Sequence, residues 1–591
     1  MPAFDTRQLS RRTFLRNSSQ TIAFISIATH LLPASAVVDI DCIRFYHLKF
    51  ENWAKNIVVD HLMAASITSE ADALAVVQWA MEQGYQVRPL GSMHNWSPLV
   101  ITANTTEDSK VLLVDLSAMT ACHMDICESG YGVVTAQTGI RMEALCQYLA
   151  EQPSPRDDPS GYALASLPAI GRITLGGALA IAGHGTGVPL SPDDPKYAFG
   201  SLSNAVLSIR TIVWDPASGS YQVRTFDRGD EDTDVVLTHL GHLMVTGVTL
   251  QVVPNFHLRC RSFTNISWKK LFHNDPQDNP FTVQRLLERH GRVNVIWFPY
   301  TDKPWLKIWD RAPEKPDESM ATTTPYNYPF ADEPSKFLVL LLRNIVSFTS
   351  RLIPYASKLQ YRVVERALKK PIRDLWGPAW HTLLYVRSTT VPALAAGYAI
   401  HLPRSEVQGF LSDIAEKIYQ LREQYAREGV YISCGPLEIR VTGLDESDGL
   451  EGRLKGGQSG ISPPAFSPLT RSAAYSEAVD TAVWLDLLTL PSTISVKARG
   501  RANAFDVDLE TWLFDNYPAA QVRVEWSKGW AYTAEEGAWH NEEVIGKNIP
   551  ESFSDTPRSF EQTIKKMREL DPHNLFSNGF LDQLFHYSRP E

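Results

Sequence analysis

Apolar and polar positions alternate in short blocks from about residue 56 to residue 253. Ser69 to Gly84 has the spacing of a helix, and Tyr85 to Arg88 that of a short strand entering a turn. Lys110–Asp115 and Gly132–Ala136 read as strands. Arg141–Glu151 places Met142, Leu145, Cys146 and Leu149 on one helical face. Ala205–Asp215 is a strand turned back at Pro216–Gly219, Asp234–Gly241 a short helix, and Val245–Val253 a strand closed by Pro254. Together these predict an α+β domain of many short elements.

The pattern changes after Phe256. Val293–Tyr300 and Pro304–Trp309 read as aromatic strands, and the Pro-rich stretch Ala312–Pro334 as an exposed loop. Phe337–Leu359 is strongly apolar, but Arg343, Asn344, Arg351 and Pro354 interrupt it, which predicts an amphipathic helix rather than a membrane span. Two roles stay open for it: packing in a second domain, or an apolar lid that touches a lipid surface. Ser405–Glu428 is a further helix and Arg453–Pro468 a mobile Gly/Ser/Pro-rich loop. Ser472–Leu490 and Ala504–Asn516 hold more strand and helix, and Val522–Trp530 opens a C-terminal segment.

A chain of 591 residues exceeds one hydrophobic core and calls for at least two domains. The net charge of −10 comes without a basic stripe, which argues against nucleic acid as a partner. Fifteen Trp and 37 Pro suggest loops and aromatic-lined cavities. The six cysteines, Cys42, Cys122, Cys127, Cys146, Cys260 and Cys434, have no zinc or C-x-x-C spacing and read as buried free thiols, with a Cys122–Cys127 pair the lesser alternative. No metal pattern is found. Ser10-Arg11-Arg12-Thr13-Phe14-Leu15, the apolar run Thr21–Leu32 and Ala34-Ser35-Ala36 predict a twin-arginine signal peptide over residues 1–36. Such a signal exports folded proteins, to the periplasm or beyond.

Two glycine-bearing stretches carry candidate chemistry. In Arg88–Ser97, Gly91 lets the backbone approach a ligand, and successive amides in such a turn suit phosphate oxygens, with His94 in their midst. Leu167–Gly187 contains Gly171, Gly176, Gly177, Gly183, Gly185 and Gly187 but lacks the order of a nicotinamide Rossmann loop. Its Leu175–Ala182 portion reads as a short helix whose N-terminus can face phosphate. His61, His242 and His381 are isolated and read as structural, and no G-x-S-x-G elbow supports a serine hydrolase.

Pro89–Asn95, Leu175-Gly176-Gly177 with Gly183–Gly187, Gly247-Val248, Leu437–Arg440 and Trp526-Ser527-Lys528 together resemble the vanillyl-alcohol-oxidase family of flavoproteins. Arg88–Pro98, Trp297–Trp309 and Glu525–Trp530 are most similar to the bacterial cholesterol oxidases with covalently bound FAD. The resemblance implies a two-domain α+β fold: an FAD domain over 41–253, a substrate-binding domain with a large antiparallel sheet over 254–521, and a segment 522–591 returning to the FAD domain. It also implies FAD bonded to His94 and contacted by Leu90, Gly91, Ser92, Met93, Asn95, Ser97, Thr174, Gly176, Gly177, Gly183, His184, Gly185, Thr186, Gly247, Val248 and Lys528. A sterol and O2 are the implied substrates, with hydrogen peroxide as a product; the oligomeric state is open.

Oxidising a secondary alcohol needs stabilisation of charge on its oxygen, which a fixed guanidinium supplies. Arg440 is the candidate, with Glu438 two residues away on the same strand face to orient it or take the proton. Lys528 is placed by the resemblance beside the flavin N1–C2 carbonyl. Relatives also isomerise the steroid double bond through a second carboxylate; Asn294 and Asp302 lie in the right region, but neither is a glutamate in a recognised motif. Oxidation of a sugar alcohol or aldonolactone, and sterol binding without catalysis, are the alternatives.

Overall fold

The computed structural model describes residues 40–126, 131–154, 159–191, 194–275, 279–329, 350–369, 371–387, 393–432, 435–447, 450, 461–475, 478–489 and 496–586. Residues 1–36, expected to be a signal peptide, together with Cys127, Cys434 and most of the apolar run from Phe337, fall outside them. Three sheets organise the described residues. The first orders Arg44–Glu51, Val58–Ser66, Val111–Asp115 and Gln86–Leu90, with its last two pairings parallel. The second is antiparallel and runs Cys122–Ile126, Gly132–Gln137, Met244–Pro254, Val206–Asp215 and Ser220–Asp227, with Tyr162–Ala163 also on Met244–Pro254.

Helix Glu70–Gln83 covers the first sheet, burying Ala73, Val76, Val77 and Ala80 against Val87, Leu112 and Val114. Its start is a reciprocal cap: the Ser69 side chain accepts from the Asp72 amide, and Asp72 accepts from the Ser69 amide. Its end is Gly84 at φ 70°, a left-handed position that favours glycine. The helix therefore delivers the following strand, and the turn after it, at a fixed angle.

The third sheet has nine strands in the order Met320–Ala321, Asp374–Pro378, His257–Phe263, Trp305–Arg311, Arg292–Trp297, Leu437–Gly443, Val479–Thr489, Leu394–Pro403 and Val522–Val524. All pairings are antiparallel except the first. Register aligns two rows of side chains across it. One reads Lys307, Asn294, Arg440, Trp484; the other Trp305, Ile296, Glu438, Asp486, Gly397. The rows are two residues apart on each strand, so both stand on one face.

Several expectations change. The first hairpin, Arg44 to Ser66, and the strand Leu394–Pro403 have no counterpart in the sequence reading. The Arg453–Pro468 stretch is a buried turn over its described end, because Phe466 stacks on Phe585 and its carbonyl accepts from Trp526 Nε1. The C-terminal segment begins as the last strand of the nine-stranded sheet, and only then crosses to Val87, whose amide donates to Leu575. The apolar stretch gives a helix at Ile353–Ala367, beyond where the pattern centred it. Cys42, Cys122, Cys146 and Cys260 are free thiols, but only Cys146 and Cys260 are buried; Cys122 is half-buried and Cys42 exposed. Among the described residues no helix is long and apolar enough to cross a membrane, and no cluster could hold a metal.

Ser69→Ala, which removes the reciprocal cap, is expected to lower stability by about 1 kcal/mol. Denaturant titration of the intact protein measures it, and an unchanged midpoint contradicts the account.

Candidate active site

A cavity of about 440 Å3 opens where the charged face of the nine-stranded sheet meets the turn after Gln86–Leu90. Fourteen of the candidate residues line it: Leu90, Gly91, Ser92, Met93, His94 and Asn95 from that turn; Thr174, Gly176, Gly177, Gly183 and His184 from the glycine run; and Glu438, Arg440 and Lys528 from the sheet side. The other candidates stand elsewhere. Ser97 is buried behind the turn, its amide donating to Ser527. Thr186 Oγ1 reaches the carbonyls of Val293 and Val441, and Gly185 faces a smaller neighbouring cavity. Gly247 and Val248 are paired on both sides within strand Met244–Pro254, and Val245 of that strand reaches the cavity instead.

The cavity has a donor-rich end. The backbone N–H groups of Gly91 to Asn95 donate to no described residue. Arg88 Nη1 and both ring nitrogens of His239 are buried, line the same end and are equally unpartnered. Free amides and a buried guanidinium suit the pyrophosphate of a dinucleotide. The helix Leu175–Ala180 does not offer its N-terminus for this. Its first amides are used internally, Leu175 on Ile140, Gly176 on Thr138 and Gly177 on Thr174 Oγ1. A Cβ on Gly91 would stand 2.9 Å from Thr174 Oγ1, so the two loops meet across glycine.

His94 sits between Trp53 and Trp96, with ring centroids at 4.7 and 6.0 Å. Burial, and then the charge of Lys528, push its pKa down to about 3. The imidazole is therefore neutral at pH 7, with a ring lone pair available for a bond. Lys528 Nζ lies 3.9 Å from the centre of the Trp96 ring.

Across the cavity stands an ionic cluster. Arg440 pairs with Asp486 and lies 3.7 Å from Glu525, which is 4.0 Å from Lys528. Asp486, not Glu438, is thus the carboxylate that orients Arg440. Burial pushes Asp486 up to about 6, against the pull of Arg440. Burial also raises Glu525, but Lys528 and Arg440 outweigh it and hold that carboxyl below its usual value. Glu438 Oε1 accepts from Asn294 Nδ2 at 2.6 Å and from the Tyr385 hydroxyl at 3.0 Å. Asn294 is thereby a partner of Glu438, whereas Asp302 is exposed at a turn.

The sequence reading passed over Asp486, Lys307, Tyr385, Arg88 and His239. Asp486 and Lys307 each leave a signal, a lone charge inside an apolar strand: Val-Trp-Leu-Asp-Leu-Leu and Trp-Leu-Lys-Ile-Trp. Lys307 is fully buried, hydrogen-bonds to no described residue, and holds Nζ 3.0 Å from the centre of the Tyr385 ring. Burial pushes its pKa down to about 7, while the charge of Glu438 opposes that.

Comparison with known proteins agrees with this geometry. Residues 257–586 match the family model "Cholesterol oxidase, substrate-binding", and residues 62–193 match "FAD binding domain". A solved structure described as a solvent-stable cholesterol oxidase is 36% identical, with a TM-score of 0.84 over 92% of this chain and 98% of that one. A cholesterol oxidase from B. sterolicum is 28% identical, with a TM-score of 0.84 over 94% and 99%. Among curated proteins, L-gulonolactone oxidase of Scyliorhinus torazame is 24% identical over 55% of this chain and 64% of its own length. An L-gulono-1,4-lactone dehydrogenase of Mycobacterium tuberculosis is 26% identical over 45% of this chain and 53% of its own length. The chain thus spans between half and two thirds of these lactone-oxidising relatives. The fold is the two-domain FAD-binding and substrate-binding one, and FAD is the cofactor.

Lys307 supplies a pH prediction. Below about pH 7 it is an ammonium whose charge opposes the arrival of a proton at the Glu438 end of the cavity; above about 7 that opposition is gone. The rate of flavin reduction by substrate is expected to rise as pH passes upward through about 7, and Lys307→Met to flatten that step. Stopped-flow reduction across the pH range checks it; an unchanged profile in the variant removes Lys307 from the account.

Proposed function

This chain belongs to the cholesterol-oxidase substrate-binding family of FAD-dependent oxidoreductases, and on that premise we propose that it oxidises the 3β-hydroxyl of cholesterol or a similar sterol, reducing O2 to hydrogen peroxide. The observation that carries the reading is the polarity of the cavity. Its donor-rich end suits the dinucleotide, and its far wall is Ile296, Phe298, Trp305, Val364, Val386 and Leu488. A tetracyclic hydrocarbon fills such a wall; a lactone with several hydroxyls would leave them unpaired there, at about 1–3 kcal/mol each.

FAD supplies the hydride acceptor and its reoxidation by O2. The residues of the chain do the rest. The Gly91–Asn95 amides would hold the pyrophosphate, and the neutral His94 ring would be the covalent tether that keeps the flavin in place. Arg440, fixed by Asp486, stands over the alcohol oxygen as it gains negative charge. Glu438, with one oxygen already occupied by Asn294 and Tyr385, takes the hydroxyl proton on the other. Lys528, on the cavity lining, would offset negative charge on the flavin when it is reduced. Export of the folded, flavin-loaded protein by the twin-arginine route, and transient contact with a lipid surface, complete the reading. The lactone-oxidising relatives support a second reading, oxidation of an aldonolactone or sugar alcohol.

Peroxide release with detergent-solubilised cholesterol against L-gulonolactone and sorbitol separates the two. Cholesterol is expected to be turned over and the others not; the reverse order refutes the sterol reading, and no peroxide with any of them refutes oxidation. Arg440→Lys is expected to lower kcat by about 100-fold while the flavin stays bound. After acid denaturation the yellow colour is expected in the pellet, and His94→Ala to release it to the supernatant; colour released from the wild type contradicts the covalent bond.

A further inference from the structure

Helix Ile353–Ala367 has two unlike faces. The inner one buries Ile353, Ala356 and Tyr361, the last donating its hydroxyl to the Thr264 carbonyl at 3.1 Å. From it Val364 reaches the cavity wall, next to Phe298, whose ring meets that of Tyr361 edge-on at 5.8 Å.

The outer face is apolar and exposed. Leu352 is 43% accessible, Tyr355 70%, Leu359 40% and Val363 39%. Their spacings of three and four place them in one stripe along the helix. Of the nine large exposed hydrophobic residues of the described chain, three thus lie on this one helix and a fourth, Leu352, caps it. Exposed Arg351, Lys358, Arg362, Arg366 and Lys369 flank the stripe, with Glu365 as the one acid between 351 and 369. None of the five cations is ion-paired among the described residues. In a protein of net charge −10, this patch carries five positive charges against one negative. An apolar stripe edged by unpaired lysine and arginine is the composition of a helix lying in the plane of a membrane interface.

We propose that the outer face of helix Ile353–Ala367 seats on a bilayer surface bearing anionic phospholipid. Leu352, Tyr355, Leu359 and Val363 enter the acyl boundary, while the basic side chains meet headgroup phosphates. Because the same helix walls the apolar end of the cavity, docking brings that end to the lipid phase. This last step rests on the sterol reading given above; the docking itself does not.

The test uses the full-length, flavin-loaded protein and sterol-free vesicles, so binding is read without turnover. Cosedimentation is expected with phosphatidylcholine mixed with phosphatidylglycerol, and little with phosphatidylcholine alone. Binding should weaken as salt is raised. Lys358→Glu and Arg362→Glu should each lower partitioning about fivefold or more. The double variant Tyr355→Ser, Leu359→Ser should abolish it while oxidation of detergent-solubilised sterol is unchanged, since neither side chain lines the cavity. Absent binding, or binding indifferent to lipid charge and to these variants, overturns the proposal. So does a concentration-dependent dimer that the double variant dissolves without any vesicle binding, which would assign the face to a second copy. If sterol oxidation fails but vesicle binding persists, only the substrate reading falls.

Discussion

One carbonyl ties the two halves of the molecule together. Ser527 O accepts from both the Trp96 and Ser97 amides, at 2.9 and 3.2 Å. The indole of Trp96 adds a bond to the Ala393 carbonyl at 2.6 Å, and Asn578 Nδ2 reaches the carbonyls of Pro98, Leu99 and Val100. The turn that carries Gly91 to Asn95 is thus pinned by residues some hundreds of positions later in the chain. Its amides from Gly91 to Asn95 can stay unpaired toward the cavity because the residues just after them are so firmly held. A turn left to itself would close on its own donors. Gly397 serves the same seam from the sheet: a Cβ there would stand 2.6 Å from Lys528 Cγ and 3.0 Å from Glu525 Cβ.

What the seam holds is a set of charges that water would otherwise solvate. Desolvating an ion costs several kcal/mol, returned only when geometry and hydrogen bonds are good. Arg440 and Lys528 face Glu438, Glu525 and Asp486, two cations against three carboxyls. Burial presses hardest on Asp486, whose pKa rises to about 6, while the flanking cations keep Glu525 ionised. The cluster thereby approaches neutrality by setting its carboxyl groups apart in proton affinity. Two carboxyls with diverging affinities beside one guanidinium are the arrangement that acid–base chemistry at a fixed pH requires.

Local signals made much of this legible in the sequence. The strands Val111–Asp115 and Met244–Pro254, and the helices Glu70–Gln83 and Val407–Arg427, follow from periodicity nearly to the residue. Glu438 and Arg440 share a face because a strand has period two, and the structure puts them there. What escaped depends on register between distant strands. Nothing near residue 486 says that it lies opposite Glu438, and nothing near residue 307 says that it lies opposite Asn294. The helix-terminus expectation failed for a related reason: the Leu175 and Gly176 amides are consumed by Ile140 and Thr138, contacts that no local pattern encodes. Phe466 looked like part of a polar loop because its partners, Trp526 and Phe585, come far later in the chain.

The layout of the cavity also constrains how any substrate can lie in it. Polar side chains stand near Arg440 and Glu438, and the wall beyond is hydrocarbon and aromatic. A ligand with one hydroxyl at the end of a rigid apolar body has a single low-energy orientation in such a space. Reversing it would bury the hydroxyl against Phe298 and Val364 without a partner, at about 1–3 kcal/mol, and strand the Arg440 cluster against hydrocarbon. On the sterol oxidation proposed above, positioning would come from the apolar body, while the guanidinium would act on the one oxygen that reaches it. That division would suit catalysis, because the contacts made by the body are the same before and during the reaction, whereas those of Arg440 would strengthen as charge develops on the oxygen.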